Sequence, residues 1–328
     1  MYQCYFAGTG SYLPEKRMTN AELEEIVDTS DEWIRQRTGI SERRVAAADQ
    51  STSDLATEAS RAAISIAELT PQDIEAVILG TITPDTMTPA CAVYVQHALG
   101  IDNAAAFDLS AACTGFVYGT AVGTSFVQTG LYRNVLVIGA ESLSRVIDYQ
   151  DRGTCILFGD GAGAAVLSRA EEGSPSKIID SYLRSDGGGA SLIEIPAGGS
   201  SKPASHETIE ARQHFLTMNG KEVFKFATKS MIELIETALK RNNFSPDDLS
   251  LIIPHQVNSR IIDAALKRID IPGERFFLNL DRYGNTSAAS VPIALDEAVR
   301  GGRLSRGDLV LFVAFGAGLT WGYNLLRW

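Results

Sequence analysis

Apolar positions in this chain fall into two recurring patterns. One is a short uninterrupted run, as in Ala76-Val77-Ile78, Val135-Leu136-Val137-Ile138, Leu251-Ile252-Ile253 and Val310-Leu311-Phe312-Val313. Runs of this length, bounded by turn residues, predict strands covered on both faces. The other has the helical period. Leu55, Ala59, Ala62, Ala63 and Ala67 share one face of a helix predicted over residues 53–69. Phe224, Ala227, Met231, Leu234 and Ala238 do the same over residues 222–242. Alternation of the two patterns predicts an α/β protein.

The pattern occurs twice in register. Thr-Pro-Gln-Asp at 70–73 leads into the 76–78 strand, and Ser-Pro-Asp-Asp at 245–248 leads into the 251–253 strand, an offset of 175 residues (245 − 70). The 135–138 and 310–313 runs have the same offset. This implies a duplicated fold of two halves, 1–175 and 176–328, meeting near residues 170–180. The polar 198–205 segment reads as a loop. Cys113 precedes a helix ending near Gly130, and Asn285 precedes its counterpart ending near Gly301. The duplication therefore directs both corners to one cleft.

Composition narrows the class. A 45% hydrophobic, 21% charged chain of 328 residues has ample apolar material for a core. Its net charge of −11 disfavours nucleic acid and anionic membrane as partners. No apolar stretch has the length of a membrane span, and the first residues lack a basic leader pattern. Cys4, Cys91, Cys113 and Cys155 form neither a disulfide framework nor a metal-spaced set, so a cytoplasmic setting and no metal are expected.

Candidate chemistry centres on Cys113, where an apolar run breaks into Ser-Ala-Ala before a helix. A sulfur at a helix N-terminus is expected to favour thiolate, which suits thioester chemistry; a buried inert cysteine is the competing reading. His255 ends the 251–253 strand after Pro254, and either a structural or a chemical role fits it. His97, His206 and His214 sit in no motif. Residues 158–167, Phe-Gly-Asp-Gly-Ala-Gly-Ala-Ala-Val-Leu, place their glycines before a strand, which predicts a structural turn rather than a dinucleotide loop. Phosphate-loop and serine-elbow motifs are absent. Lys221, Lys225 and Lys229 form one helical ridge, and Arg260, Lys267 and Arg268 a second. Each ridge reads as a solvated face or as a docking patch for a phosphate or an acidic partner.

Taken together, these residues resemble ketoacyl synthase III, the β-ketoacyl-acyl-carrier-protein synthase of the thiolase superfamily. The similarity runs through Gly-Thr-Gly-Ser-Tyr-Leu-Pro at 8–14, Asp-Glu-Trp-Ile at 31–34 with Arg-Thr-Gly-Ile at 37–40, and Asp-Arg-Gly-Thr at 151–154. It continues through 158–167, Gly-Asn-Thr-Ser-Ala-Ala-Ser at 284–290 and Thr-Trp-Gly at 320–322. The resemblance implies a thiolase-like duplicated fold of five αβαβα layers and a homodimer. It implies condensation of an acyl-CoA primer with malonyl-acyl carrier protein, with loss of CO₂ and no cofactor, coenzyme A entering as the substrate thioester. By position Cys113 is the acylated nucleophile, with His255 and Asn285 beside it, and the backbone N–H groups of Cys113 and Ala317 form the oxyanion hole. Trp33 and Arg152 would sandwich the adenine of coenzyme A, and Arg37 would meet its phosphates. Lys225, Arg260, Lys267 and Arg268 match the surface that receives acyl carrier protein. Two departures stand out: Ala317 replaces a glycine, and Thr88 stands where some relatives carry a phenylalanine that closes the acyl pocket across the dimer. A specialised homologue using another acyl or aroyl primer shares every catalytic residue. A degradative thiolase, a chalcone-type synthase and an inactive chain-length factor fit the motifs less well.

Overall fold

The computed structural model describes residues Met1–Trp328 and gathers the apolar runs into two sheets. The chain begins β1 (Cys4–Tyr12), α1 (Asp31–Thr38), α2 (Thr52–Ile66), β2 (Ala76–Gly80), α3 (Cys91–Leu99), β3 (Ala105–Leu109), α4 (Gly115–Thr129), β4 (Asn134–Glu141) and β5 (Gly161–Arg169). It continues β6 (Lys177–Ser185), α5 (Gly220–Asn242), β7 (Leu251–Pro254), α6 (Ser259–Leu266), α7 (Ser290–Arg300), β8 (Leu309–Gly316) and β9 (Thr320–Arg327). One sheet has five strands in the order β1-β5-β4-β2-β3, the other four in the order β7-β8-β9-β6. β2 is parallel to β3 and β4, and β7 is parallel to β8; β5 and β9 run antiparallel to the strands they follow.

Five layers result. Leu55, Ala59 and Ala63 of α2 and Val95 of α3 cover the outer face of the first sheet. Met231 and Leu234 of α5 and Ile261 of α6 cover the outer face of the second. Between the sheets lie α4 and α7, whose Phe116, Val117, Val291 and Leu295 pack on Ile78, Val137, Ile253 and Phe312. Alternate residues of β4 serve both sides: Val135 and Val137 face the central helices, Leu136 and Ile138 the outer layer. That double burial is why the strand is apolar from Val135 to Ile138.

The repeat is visible in the pairing itself. Ile78 is opposite Val137, and Ile253, 175 residues on, is opposite Phe312, the same distance beyond Val137. Both Pro-containing connectors are single 3₁₀ turns closed by their aspartates: Thr70 N–H donates to Asp73 Oδ2 at 2.8 Å and Ser245 N–H to Asp248 Oδ2 at 2.7 Å. The predicted helices form with small shifts. α2 stops at Ile66 because Glu68 turns the chain at φ 57°. α5 starts at an Asn219 cap and ends where Asn243 turns left-handed at φ 56°. Asp160 makes the predicted turn before β5, its carboxylate accepting from Ala46 N–H, Ser144 N–H and the Ser144 hydroxyl at 2.6–2.8 Å.

Each half has a 3₁₀ turn before its central helix, Ala112–Thr114 before α4 and Ser287–Ala289 before α7. Both turns open on a non-glycine residue in left-handed conformation, Ala112 at φ 46° and Ser287 at φ 48°. Such residues cost of order 1 kcal/mol each and persist only where the surroundings enforce them. The enforcement is close backbone packing. A Cβ on Gly139 of β4 would lie 2.1 Å from the Ala288 carbonyl oxygen, so the second corner fits only against glycine.

Gly139→Ala is expected to lower unfolding free energy by about 2–4 kcal/mol, since only backbone can yield. Gly199→Ala, which meets nothing within 4 Å, should change it by less than about 0.5 kcal/mol. Urea denaturation of the two variants beside wild type checks this.

Candidate active site

The two corners meet at a narrow cavity of about 40 Å³. Its polar wall consists of Cys113, His255, Asn285 and Ser287, with Gly316 and Ala317 beside them; Ile193, Leu216, Phe226 and Phe315 are among the apolar groups that complete it. Each polar residue comes from a strand end or a corner turn. Cys113 is the middle of the turn that opens α4. His255 follows β7, its N–H donating to Val313 O at 2.7 Å. Asn285 is pinned on both sides, donating to Leu157 O at 2.8 Å and accepting from Gly159 N–H at 3.0 Å. The three residues singled out in the sequence therefore converge.

Hydrogen bonding sets what each presents. Ser287 N–H donates to Asn285 Oδ1 at 2.8 Å, which ties down the amide oxygen and leaves Nδ2 as the available donor. His255 is 0% exposed, neither ring nitrogen has a partner, and its ring lies edge-on to Phe315 at 5.5 Å between centroids. Burial holds its pKa at about 3, so the imidazole is neutral near pH 7. Two neutral donors suit a transient negative charge on a carbonyl oxygen.

Cys113 departs from expectation. Its position at a helix start holds, but burial, opposed by the Ser287 hydroxyl and reinforced by nearby Glu141, pushes the thiol up to about 12. Desolvation outweighs the helix end, so the resting group is a thiol rather than a thiolate. A Cβ on Gly316 would lie 2.9 Å from Cys113 N, so the loop after β8 rides directly on Cys113. Ala317, next in that loop, avoids the left-handed region where alanine would be strained, and its N–H has no protein acceptor.

Two residues of the site escaped the sequence reading. Ser287 carries the repeat's left-handed corner, and its hydroxyl donates to Glu141 Oε1 at 3.0 Å. Glu141, the last residue of β4, is 0% exposed. A lone carboxylate closing an otherwise apolar strand was the available signal.

A wider cleft of about 520 Å³ adjoins the cavity, sharing Met218, Val223 and Val257 with it. Trp33, Arg37, Lys221, Lys225 and Arg260 line it. The Arg37 and Arg152 guanidiniums lie 5.6 and 5.2 Å from the Trp33 ring centroid. A flat base stacked between Trp33 and Arg152 needs about 7 Å, so Arg152, also bonded to Asp28 O at 3.0 Å, must swing outward to admit one. Lys225 pairs with Glu222 at 2.8 Å, whereas Arg260 makes no ion pair and lies over Phe224.

The second ridge persists past the end of α6 at Leu266: Lys267, its cap, still donates its N–H to Asp263 O at 3.3 Å and Ile269 N–H to Ala265 O at 3.2 Å, so the turn stays helical, and Arg260, Lys267 and Arg268 line one groove with Phe224 and Asp263. Thr88 lies apart from the cavity wall, exposed on the loop before α3 beside Met87, itself 85% exposed.

The chain is similar to known proteins over nearly its whole length. The family profile described as 3-oxoacyl-[acyl-carrier-protein] synthase III matches residues 107–187, and its C-terminal counterpart matches residues 239–328. The β-ketoacyl-[acyl-carrier-protein] synthase III of Caldanaerobacter subterraneus is 56% identical over 98% of this chain and 96% of its own length. The crystal structure of 3-oxoacyl-[acyl-carrier-protein] synthase III from Aquifex aeolicus superposes with a TM-score of 0.91 at 45% identity, covering 99% of this chain and all of that one. The priming β-ketosynthase of the R1128 polyketide biosynthetic pathway does so with a TM-score of 0.91 at 35% identity, covering 99% and 96%.

The burial of His255 has a measurable consequence. Below pH 6.5 the unfolded imidazole binds a proton that the native one refuses until about pH 3, so native stability falls as pH falls through that window. Relative to His255→Gln, wild type should lose about 2 kcal/mol between pH 7 and pH 5. Glu141, whose raised pKa acts in the opposite sense, is common to both proteins and cancels. Urea titrations at the two pH values measure the difference.

Proposed function

The chain belongs to the 3-oxoacyl-[acyl-carrier-protein] synthase III family, and on that premise we propose that it condenses an acyl-CoA primer with malonyl-acyl carrier protein to begin fatty acid synthesis. The observation that carries the reading is the meeting of Cys113, His255 and Asn285 at one dry cavity beside a cationic cleft. Residues 1–175 form the half with the nucleophile, and residues 176–328 the half with the two donors.

Acyl-CoA enters with its nucleotide in the cleft, Arg152 swinging out so that the base stacks on Trp33 while Arg37 meets phosphate. The Cys113 sulfur attacks the acyl carbon, and the N–H groups of Cys113 and Ala317 receive the oxyanion, each donor contributing about 3 kcal/mol. Collapse expels coenzyme A and leaves an acyl thioester on Cys113. Malonyl-acyl carrier protein then docks on Lys225, Arg260, Lys267 and Arg268. As the malonyl group loses CO₂, His255 and Asn285 Nδ2 donate to the thioester oxygen on which the enolate charge develops. The carbanion attacks the Cys113 thioester, the cysteine leaves, and β-ketoacyl-acyl carrier protein is released. No step calls for a cofactor.

We read the protein as a cytoplasmic homodimer. β3 is the edge of its sheet and leaves apolar Phe107 and Leu109 only partly buried, an edge that a second copy would cover. Thr88 and Met87 project from the loop preceding α3, and Thr88 would reach the partner's cavity from there. Lacking an aromatic ring, it leaves room for primers longer than acetyl, each buried CH₂ contributing about 0.8 kcal/mol. This favours, as a second reading, a specialised starter unit, in line with the likeness to the R1128 priming enzyme.

Intact-protein mass spectrometry after acyl-CoA treatment should show one acyl adduct, absent from Cys113→Ala; an adduct at Cys91 or Cys155 instead would refute the assignment. His255→Ala and Asn285→Ala should still acylate but release CO₂ about 10²–10³-fold more slowly. Arg260→Glu should raise KM for malonyl-acyl carrier protein more than Lys225→Glu does, since Lys225 is already paired with Glu222. Neither should change KM for acyl-CoA as much, and steady-state kinetics at two salt concentrations would register both effects.

A further inference from the structure

Behind Ser287 lies Glu141, 0% exposed and outside the cavity wall. Its Oε1 accepts from the Ser287 hydroxyl at 3.0 Å, and Oε2 accepts from Thr83 Oγ1 at 2.6 Å, Ile82 N–H at 3.1 Å and Thr81 Oγ1 at 3.2 Å. Each of these donors is neutral, and burying a carboxylate among neutral groups is costly. The repeat shows that the corner itself does not require it. At the offset of 175, Ser287 corresponds to Ala112 (287 − 175) and Glu141 to Gly316 (141 + 175). Ala112 turns left-handed at φ 46° and Ser287 at φ 48°, yet the first pair has no side chain that could hydrogen-bond. The two corners therefore differ in purpose rather than in shape. Only the second carries an amide at the cavity: Asn285 corresponds to Ser110 (285 − 175), which lies outside the cavity wall. Ser287 joins the two groups, its hydroxyl donating to Glu141 and its N–H to Asn285 Oδ1 at 2.8 Å.

We propose that Glu141 is a positioning residue for decarboxylation: through Ser287 it holds the Asn285 carboxamide so that Nδ2, not Oδ1, faces the malonyl thioester oxygen. The need for such a hold comes from the amide itself. The terminal torsion of asparagine is broad and nearly two-fold, so a half turn costs little and exchanges a donor for an acceptor. An amide oxygen turned toward a developing enolate would repel the charge that Nδ2 stabilises. The Ser287 N–H prevents that turn only while it stays aimed at Oδ1, and Glu141 is the anchor that fixes the Ser287 side chain from behind. Glu141 touches neither substrate nor Asn285 and acts only through the serine.

This role rests on the synthase reading, and two half-reactions measured apart test it: acylation of Cys113 by mass spectrometry, and CO₂ release from malonyl-acyl carrier protein. Ser287→Ala makes the two corners alike in lacking a hydroxyl, so it should fold, which urea denaturation checks. It should slow CO₂ release about tenfold or more, and acylation far less. In an Asn285→Ala background the same change should slow CO₂ release no further, since no amide remains to be oriented. Glu141→Gln keeps a polar atom within reach of Ser287 Oγ and should lose less than Ser287→Ala; added to Ser287→Ala, it should cost nothing more. Equal slowing of both half-reactions by Ser287→Ala would overturn the proposal, as would a full further loss in the Asn285→Ala background. A further loss from Glu141→Gln on top of Ser287→Ala would do so too, because Glu141 would then act by another route. Failure of Ser287→Ala to fold would assign the bond to the fold instead. If wild type neither acylates nor releases CO₂, the synthase reading fails and the orientation of Asn285 is read directly by NMR. Its side-chain amide resonance, identified by its loss in Asn285→Ala, should broaden or split in Ser287→Ala, and a single sharp resonance there refutes the positioning role.

Discussion

The approach of two backbone corners to within contact distance governs this protein. Gly139 of the first sheet admits the Ala288 carbonyl, and Gly316 of the second lies against Cys113, so each half presses its strand end on the other's corner. No side chain fits at either point. Close packing there holds Ala112 and Ser287 in left-handed conformations that neither residue would choose. It also brings a cysteine from one half to face a histidine and an asparagine from the other.

Dryness follows from that packing and sets the chemistry. With these groups buried, charge is disfavoured on each of them: the imidazole stays neutral, the thiol stays protonated and the Glu141 carboxyl titrates near neutrality. An imidazole whose pKa burial lowers to about 3 is a weak base, so its N–H serves as a donor to a developing anion. The same dryness makes any oxyanion contact stronger than it would be in water.

Solvated charge is kept outside. Arg37, Lys221, Lys225 and Arg260 stand at the mouth, where Met218, Val223 and Val257 separate the cationic cleft from the apolar cavity. A long substrate with an anionic head and an uncharged reactive end would span this boundary in one direction only. An acidic chain with a cationic mouth also repels most anions except where they are used.

The sequence by itself determined the architecture and singled out the three groups that meet at the cavity. Apolar runs and helical faces are local periodicities, a repeat offset of 175 survives in text, and Cys113, His255 and Asn285 occupy motifs that mark strand ends and corners. Tertiary structure alone decided the state of those groups. The thiol's rise, the orientation of Asn285 by Ser287, the link from Ser287 to Glu141 and the contact of Arg152 with Trp33 all join residues far apart in the chain. Periodicity reports which face a residue takes; desolvation and hydrogen bonding depend on what fills the space beyond that face, and only the packed halves supply it.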